Sequence, residues 1–233
     1  MKKLKIFIKG ETINLSKPTL DFAKKSNWYS WLNDKIIIKH LWGKYKKQKN
    51  TPAKQVKFYL SERKKRFMLI ISTKKNIYKG VVSLSNFNKT KNSCELALIT
   101  DTSIDPYLAP YAALEAIARI SEYAFKNLNI REINAYGNTE LKLWHQRMEL
   151  FGYKLVTITD NHYMNNKKIP SRLIASCIYE DYKKIKKKRK YFWDSLENIK
   201  KRIGKLPKKN MFDVYLKFKN NYNKKYYERI FNL

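Results

Sequence analysis

The sequence predicts a mixed α/β, or α+β, domain with a mainly antiparallel twisted sheet flanked by helices, followed by a basic helical extension. Three observations predict it. Short apolar runs at 67–72, 80–84 and 95–99 are separated by polar turns, the pattern of an antiparallel meander. Leu114, Ile117, Ala118, Ser121, Ala124, Phe125 and Leu128 keep a 3.6-residue period, which makes 109–128 the strongest helix. Beyond Asp181 the charge balance shifts, with 18 Lys/Arg against 5 Asp/Glu in residues 181–233.

Taken in order, residues 5–8 and 12–15 alternate apolar and polar around Lys9-Gly10-Glu11 and predict an opening hairpin. Ser16 and Pro18 lead into a helix over 20–32, which breaks at Asn33-Asp34. A loop rich in lysine and aromatics follows. Thr51-Pro52 is an N-cap with proline at the first helical position of a helix over 52–65. After the meander and the long helix come a strand (130–136), a helix (140–151), a strand (153–158), a loop (161–168) and a last strand (173–178). In the extension, Lys183–Lys190 is a basic run. Phe192, Leu196, Ile199 and Ile203, then Phe212, Tyr215, Leu216 and Phe218, have helical spacing on either side of Gly204 and Pro207. The expected division is a domain over 1–180 and an extension over 181–233.

Composition bounds the function classes. Of 233 residues, 43% are hydrophobic and 14% aromatic, enough apolar material for a core. No window approaches the roughly 18 uncharged apolar residues of a membrane-spanning helix. Lysines at 3, 5 and 9 interrupt any signal-peptide core. The expected location is therefore the cytoplasm, with peripheral attachment to the inner face of the membrane as a variant. Cys94 and Cys177 lack CxxC or Cys/His spacing, so they read as buried core thiols and no metal site is expected. The net charge of +32 attracts phosphates, nucleic acid or anionic lipid. However, the lysines are dispersed among Asn, Ile and Tyr, as AT-rich codon usage would produce, so only local clusters count as signals.

Three segments in order carry a family resemblance. Trp28-Tyr29-Ser30-Trp31-Leu32-Asn33-Asp34 resembles the first-helix segment of GCN5-related N-acetyltransferases (GNAT) of the ribosomal-protein and sugar-acetylating branches. Lys79–Leu84 followed by Cys94–Ile99 looks like that family's pair of central strands. Tyr107–Phe125, with Asn138 and Leu150-Phe151-Gly152-Tyr153 after it, is similar to the loop, long helix and ending of the acetyltransferase core. The resemblance covers about residues 4–180. It implies transfer of acetyl from acetyl-CoA, bound between two parallel central strands, to a primary amine. The CoA diphosphate would sit at the N-terminus of the long helix, where unpaired N–H groups and the helix dipole favour anions.

The resemblance assigns residues one by one. Glu95 stands where many members place a carboxylate facing the acceptor; its readings are general base or substrate binder, or a strand carboxylate paired with a lysine. Leu98 and Ile99 fall on the strand whose backbone meets the pantetheine arm. The phosphate-loop pattern falls on Tyr107–Ala112, of which only Ala112 fits. Tyr107 replaces a polar residue and Pro110 has no N–H, which leaves Tyr111, Ala112 and Ala113 to offer amides. Asn138 matches the pantetheine-contacting asparagine and equally suits an N-cap. The usual acid tyrosine is Met148 here, so Tyr111 and His145 are the substitutes. His40, Trp42 and Tyr45 border the expected acceptor site, with stacking on a sugar or nucleotide and packing on the sheet both open.

The expected acceptor is a nucleotide-linked amino sugar for surface polysaccharide synthesis, with a protein N-terminus as an alternative. A non-catalytic scaffold that binds nucleic acid or anionic membrane through residues 181–233 is the competing class. Aromatics interleave with lysines in that tail (Tyr191, Phe192, Trp193, Tyr215, Tyr222, Tyr226, Tyr227). They suit docking on the core as well as an anionic surface.

Overall fold

The alternation at the start of the chain forms an antiparallel hairpin of β1 (Ile6–Lys9) and β2 (Ile13–Ser16). The computed structural model describes residues 2–40, 49–101, 109–159, 163–164, 167–168, 172–211, 213 and 224–233. It has two units, Met1–Phe87 with Leu96–Ile120, and Asn88–Glu95 with Ser121–Leu233.

In the first unit the strand order is β1-β2-β3-β4-β5, with β3 spanning Phe67–Thr73, β4 Tyr78–Asn88 and β5 Ser93–Thr100. The pairs β1/β2, β2/β3 and β3/β4 are antiparallel. The helix expected over 20–32 is two helices, α1 (Leu20–Lys25) and α2 (Trp28–Trp31). At 3.6 residues per turn, Trp31 in an unbroken helix would lie about 180° round from Phe22. The extended backbone at Ser26, whose hydroxyl accepts from the Trp28 amide at 3.3 Å, breaks the helix. Phe22, Trp28 and Trp31 all join one core cluster with Tyr59, Met68 and Ile70.

The sequence stops that helix at Asn33-Asp34 and expects a loop, but Asp34 starts another helix, α3 (Lys35–His40). Its carboxylate accepts from the Ile37 amide at 3.4 Å, and Ile37 packs on the core. α4 (Pro52–Glu62) begins as expected, with the Thr51 hydroxyl accepting from the Lys54 amide.

α5 (Ala109–Asn127) is fastened at its second turn. The fully buried Glu115 accepts from the Glu11 amide at 2.6 Å, the Thr12 amide at 2.7 Å and the Thr12 hydroxyl at 2.6 Å, with Arg119 beside it at 3.1 Å. Four donors satisfy a carboxylate whose burial without partners would be costly. The hairpin turn and the start of α5 are thereby fixed to each other. Gly80 is required where β4 passes β5, because a Cβ there would overlap the Ile99 carbonyl oxygen.

In the second unit the strand order is β6-β10-β7, both pairs antiparallel, with β6 Glu132–Asn138, β7 Lys154–Thr159 and β10 Arg172–Ile178. A 3-10 turn (Thr139–Leu141) and α6 (Lys142–Glu149) follow β6. The segment expected to be a loop carries a two-residue ladder of β8 (Tyr163–Met164) and β9 (Lys167–Lys168). The basic run after β10 is helical, α7 (Tyr179–Arg189), because Tyr182, Ile185 and Arg189 fall on one buried stripe. α8 (Leu196–Gly204) and α9 (Lys224–Phe231) complete the unit. Most of the second predicted tail helix lies outside the described residues.

Among the described residues of the extension, Phe192, Trp193, Tyr226 and Tyr227 pack inside this unit. Trp193 stacks on Phe151, with ring centroids 5.9 Å apart and planes at 7°, and Phe192 meets the same ring edge-on. Arg189 donates to the Leu150 carbonyl at 2.7 Å. The Leu155 amide donates to the Tyr227 hydroxyl at 2.7 Å, and the Tyr226 hydroxyl donates to Glu149 at 2.7 Å. Tyr191 stays exposed. Cys94 and Cys177 are free and buried, as expected. Among the described residues no helix is long and apolar enough to cross a membrane.

Candidate active site

Two-residue periodicity sorts β6 into two faces. Ile133, Ala135 and Gly137 are buried on one; Glu132, Asn134 and Tyr136 are only half-buried on the other. On the polar face the Tyr136 hydroxyl donates to the Glu95 carboxylate. Burial pushes the Tyr136 hydroxyl above the usual phenol range, and the Glu95 charge adds to the rise. Arg172, the β10 residue paired with Asn138, lays its guanidinium carbon 4.1 Å from the Tyr136 ring centroid. Further along, the Ser176 hydroxyl donates to Glu132 at 2.8 Å. Glu95 is half-buried between Cys94 and Leu96, which bury on the opposite face of β5. A carboxylate fixed by a phenol beside a guanidinium can bind an ammonium group and take a proton from it. Tyr136 is a residue that the sequence reading missed. The available signal was Glu132, Asn134, Tyr136 and Asn138 alternating along an internal strand, which marks a face left open to water.

His145 stands elsewhere. It packs so closely on Gly137 that a Cβ there would overlap the imidazole. That puts it against the face of β6 opposite Tyr136. Burial pushes its pKa down to about 4, and neither ring nitrogen has a hydrogen-bond partner among the described residues. The structure does not bring it to Glu95. Asn138 is 3% exposed and its side-chain oxygen accepts from the Glu140 amide at 2.8 Å, so it caps the 3-10 turn. Met148 is buried.

In the first unit, Leu98 and Ile99 are half-buried on β5, and Tyr111, Ala112 and Ala113 lie in the first turns of α5. Trp42, Tyr45 and Tyr107 lie outside the described residues; of His40 only the backbone, at the end of α3, is described.

No family model and no curated protein matches the sequence. Solved structures do match in fold. Spermidine N-acetyltransferase from Vibrio cholerae, in complex with CoA and spermine, superposes with a TM-score of 0.62 at 14% identity, over 73% of this chain and 98% of that one. A GNAT-family acetyltransferase from Bacillus anthracis gives 0.61 at 15% identity, over 75% and 99%. A microcin self-immunity acetyltransferase, in complex with acetyl-CoA and AMP, gives 0.58 at 18% identity, over 72% and 93%. The chain therefore has the fold of the GCN5-related N-acetyltransferases.

Two of those structures hold CoA or acetyl-CoA, and the resemblance would seat its diphosphate at the start of α5. At the opening turn of α5, Pro110 has no N–H to offer, and the proline is comfortable in the first turn of a helix. Alanines at 109, 112 and 113 add little side-chain bulk at that turn. The N-terminal end of a 19-residue helix favours negative charge.

Proposed function

We propose that this protein is an acetyl-CoA-dependent N-acetyltransferase acting on a primary amine. The observation that carries the proposal is the hydrogen-bonded pair of Glu95 and Tyr136 on the open face of β6. Acetyl-CoA, when bound, supplies an acyl group activated as a thioester. The N-terminal dipole of α5 and the backbone of Leu98 and Ile99 would hold it. Glu95 accepts a proton from the acceptor ammonium and leaves a nucleophilic amine. Tyr136 keeps the carboxylate in one orientation, and its raised pKa keeps the hydroxyl protonated at neutral pH. Tyr136 is added to Tyr111 and His145, the substitutes expected from the sequence, as a proton donor to the departing thiolate.

The acceptor class follows from charge. Arg172, with its guanidinium over the Tyr136 ring beside Glu95, opposes the approach of a polycation such as spermine. It favours an amine carried by an anion, and we assign the acceptor as a nucleotide-linked amino sugar. Arg172 would also meet the negative charge of the nucleotide. The AMP in the microcin self-immunity acetyltransferase complex supports room for a nucleotide in this fold.

The test is release of CoA from acetyl-CoA by the purified chain with amino-sugar nucleotides, spermidine and N-terminal peptides as acceptors. The proposal expects turnover with the first group and little with spermidine. Turnover with peptides alone would overturn the acceptor. Acetyl-CoA giving no calorimetric signal up to millimolar concentration would overturn the enzyme.

A further inference from the structure

The second unit holds a cleft of about 520 Å3 that the acetyl-transfer reading does not use, lined by Lys126, Tyr179, Tyr182, Lys183, Lys186, Lys187 and Lys190. Four of its lysines come from or just after α7, where 183, 186, 187 and 190 follow the i, i+3, i+4, i+7 spacing of one helix face. The opposite stripe, Tyr182, Ile185 and Arg189, is buried and fixes which way that face points.

The carboxylates are too few to neutralise it. Glu122 serves two ammonium groups at once, Lys126 at 2.6 Å and Lys186 at 3.5 Å. Lys126 crowds Lys186 closely enough to lower its pKa. Among the described residues, Lys183, Lys187 and Lys190 meet no carboxylate. Lysines scattered by codon usage would stand apart in solvent. Here five line one concave surface, and two of them share a single acid.

The floor of the cleft says what is read. Tyr179 has the Arg131 guanidinium 4.5 Å from its ring centroid and the Lys183 ammonium 4.9 Å from it. Tyr182 is stacked on Phe125 at 5.0 Å and donates its hydroxyl to Glu122. These rings are already engaged by cations and by each other, so they offer no free face for stacking a base. Ligand recognition falls to the ammonium groups, which read charge and not sequence. A lipid surface would need apolar side chains on the same face, and the α7 stripe from Lys183 to Lys190 presents none.

We propose that this cleft is a docking site for the phosphodiester backbone of a nucleic acid, bound without regard to base sequence.

A whole-chain charge of +32 binds any polyanion to some degree, so the test compares two variants of equal charge. One carries Lys183→Gln, Lys187→Gln and Lys190→Gln. The other carries Lys24→Gln, Lys57→Gln and Lys64→Gln at exposed sites outside the cleft. Binding of a fluorescein-labelled 20-nucleotide mixed-sequence RNA is read by anisotropy from low to moderate salt, after circular dichroism shows both variants folded. The cleft variant is expected to lose at least tenfold in affinity and about two to three from the slope of log affinity against log salt, at roughly 0.7–0.9 per phosphate contact. Arginine at the three cleft positions should restore binding. Equal losses in the two variants would overturn the proposal. So would a cleft variant that keeps its RNA binding but loses retention on vesicles containing 30% phosphatidylserine, which would assign the cleft to membrane.

Discussion

Glu149→Gln should stabilise the protein, and increasingly so as pH rises. Glu149 is 4% exposed at the end of α6. Two hydroxyls of α9 reach it, Tyr226 at 2.7 Å and Tyr227, whose oxygen also accepts from the Leu155 amide. Burial nevertheless outweighs these donors and pushes the carboxyl up from 4.5 to about 8. His145, Lys142, Tyr153 and Asn210 line the same small cavity, and burial keeps His145 neutral down to about pH 4. The folded-state pKa is raised, so the stabilising contribution is whole below 4.5 and is lost as pH rises through about 8. At about 1.36 kcal/mol per pH unit, the change between pH 5 and pH 9 has a ceiling of about 4 kcal/mol. Glutamine keeps an acceptor for Tyr226 and cannot ionise, so the variant should lack this slope. Urea unfolding of both chains at several pH values, with hydrogen exchange of α9 amides as a local readout, measures the difference. A difference that stays flat from pH 5 to pH 9 would show that Glu149 is ionised in the folded protein, and the account of how α9 is held would fail.

Glu95→Gln should lower kcat/KM for acetyl transfer by about 10²–10⁴ while leaving the unfolding free energy within about 1 kcal/mol of the parent. Tyr136→Phe should lower it less, and loss of stability in place of activity in either variant would mark the pair as structural. Trp193→Ala removes the stacking partner of Phe151 and should cost about 3–5 kcal/mol in unfolding free energy; an effect under about 1 kcal/mol would mean that the extension does not stabilise the unit. Gly137→Ala drives a methyl group into the His145 imidazole and should cost about 1–3 kcal/mol, relieved in the double variant with His145→Ala.

Much of the architecture is set by local patterns that the chain carries in its own order. Period-two runs specify β1 and β2, short apolar runs between polar turns specify β3 to β5, and a 3.6-residue stripe specifies α5. Thr51-Pro52 specifies the start of α4. These signals are legible because backbone hydrogen bonding and one-sided burial impose them within a few residues. The resemblance of the Trp28–Asp34, Lys79–Ile99 and Leu150–Tyr153 segments to acetyltransferases led to the fold that the solved structures share, and it singled out Glu95.

Tertiary structure decided the rest. It split the first helix at Ser26, because Phe22 and Trp31 had to reach one core. It turned Lys183–Lys190 from a run of like charge into a helix, since Tyr182, Ile185 and Arg189 found a surface to bury against. It paired Tyr136 with Glu95, 41 residues apart in sequence, and put His145 on the other side of β6. Sequence spacing fixes which face of an element a side chain occupies. Which distant side chain meets it there depends on how the elements pack, and the partner decides whether a carboxylate is a base, a clamp or a buried acid.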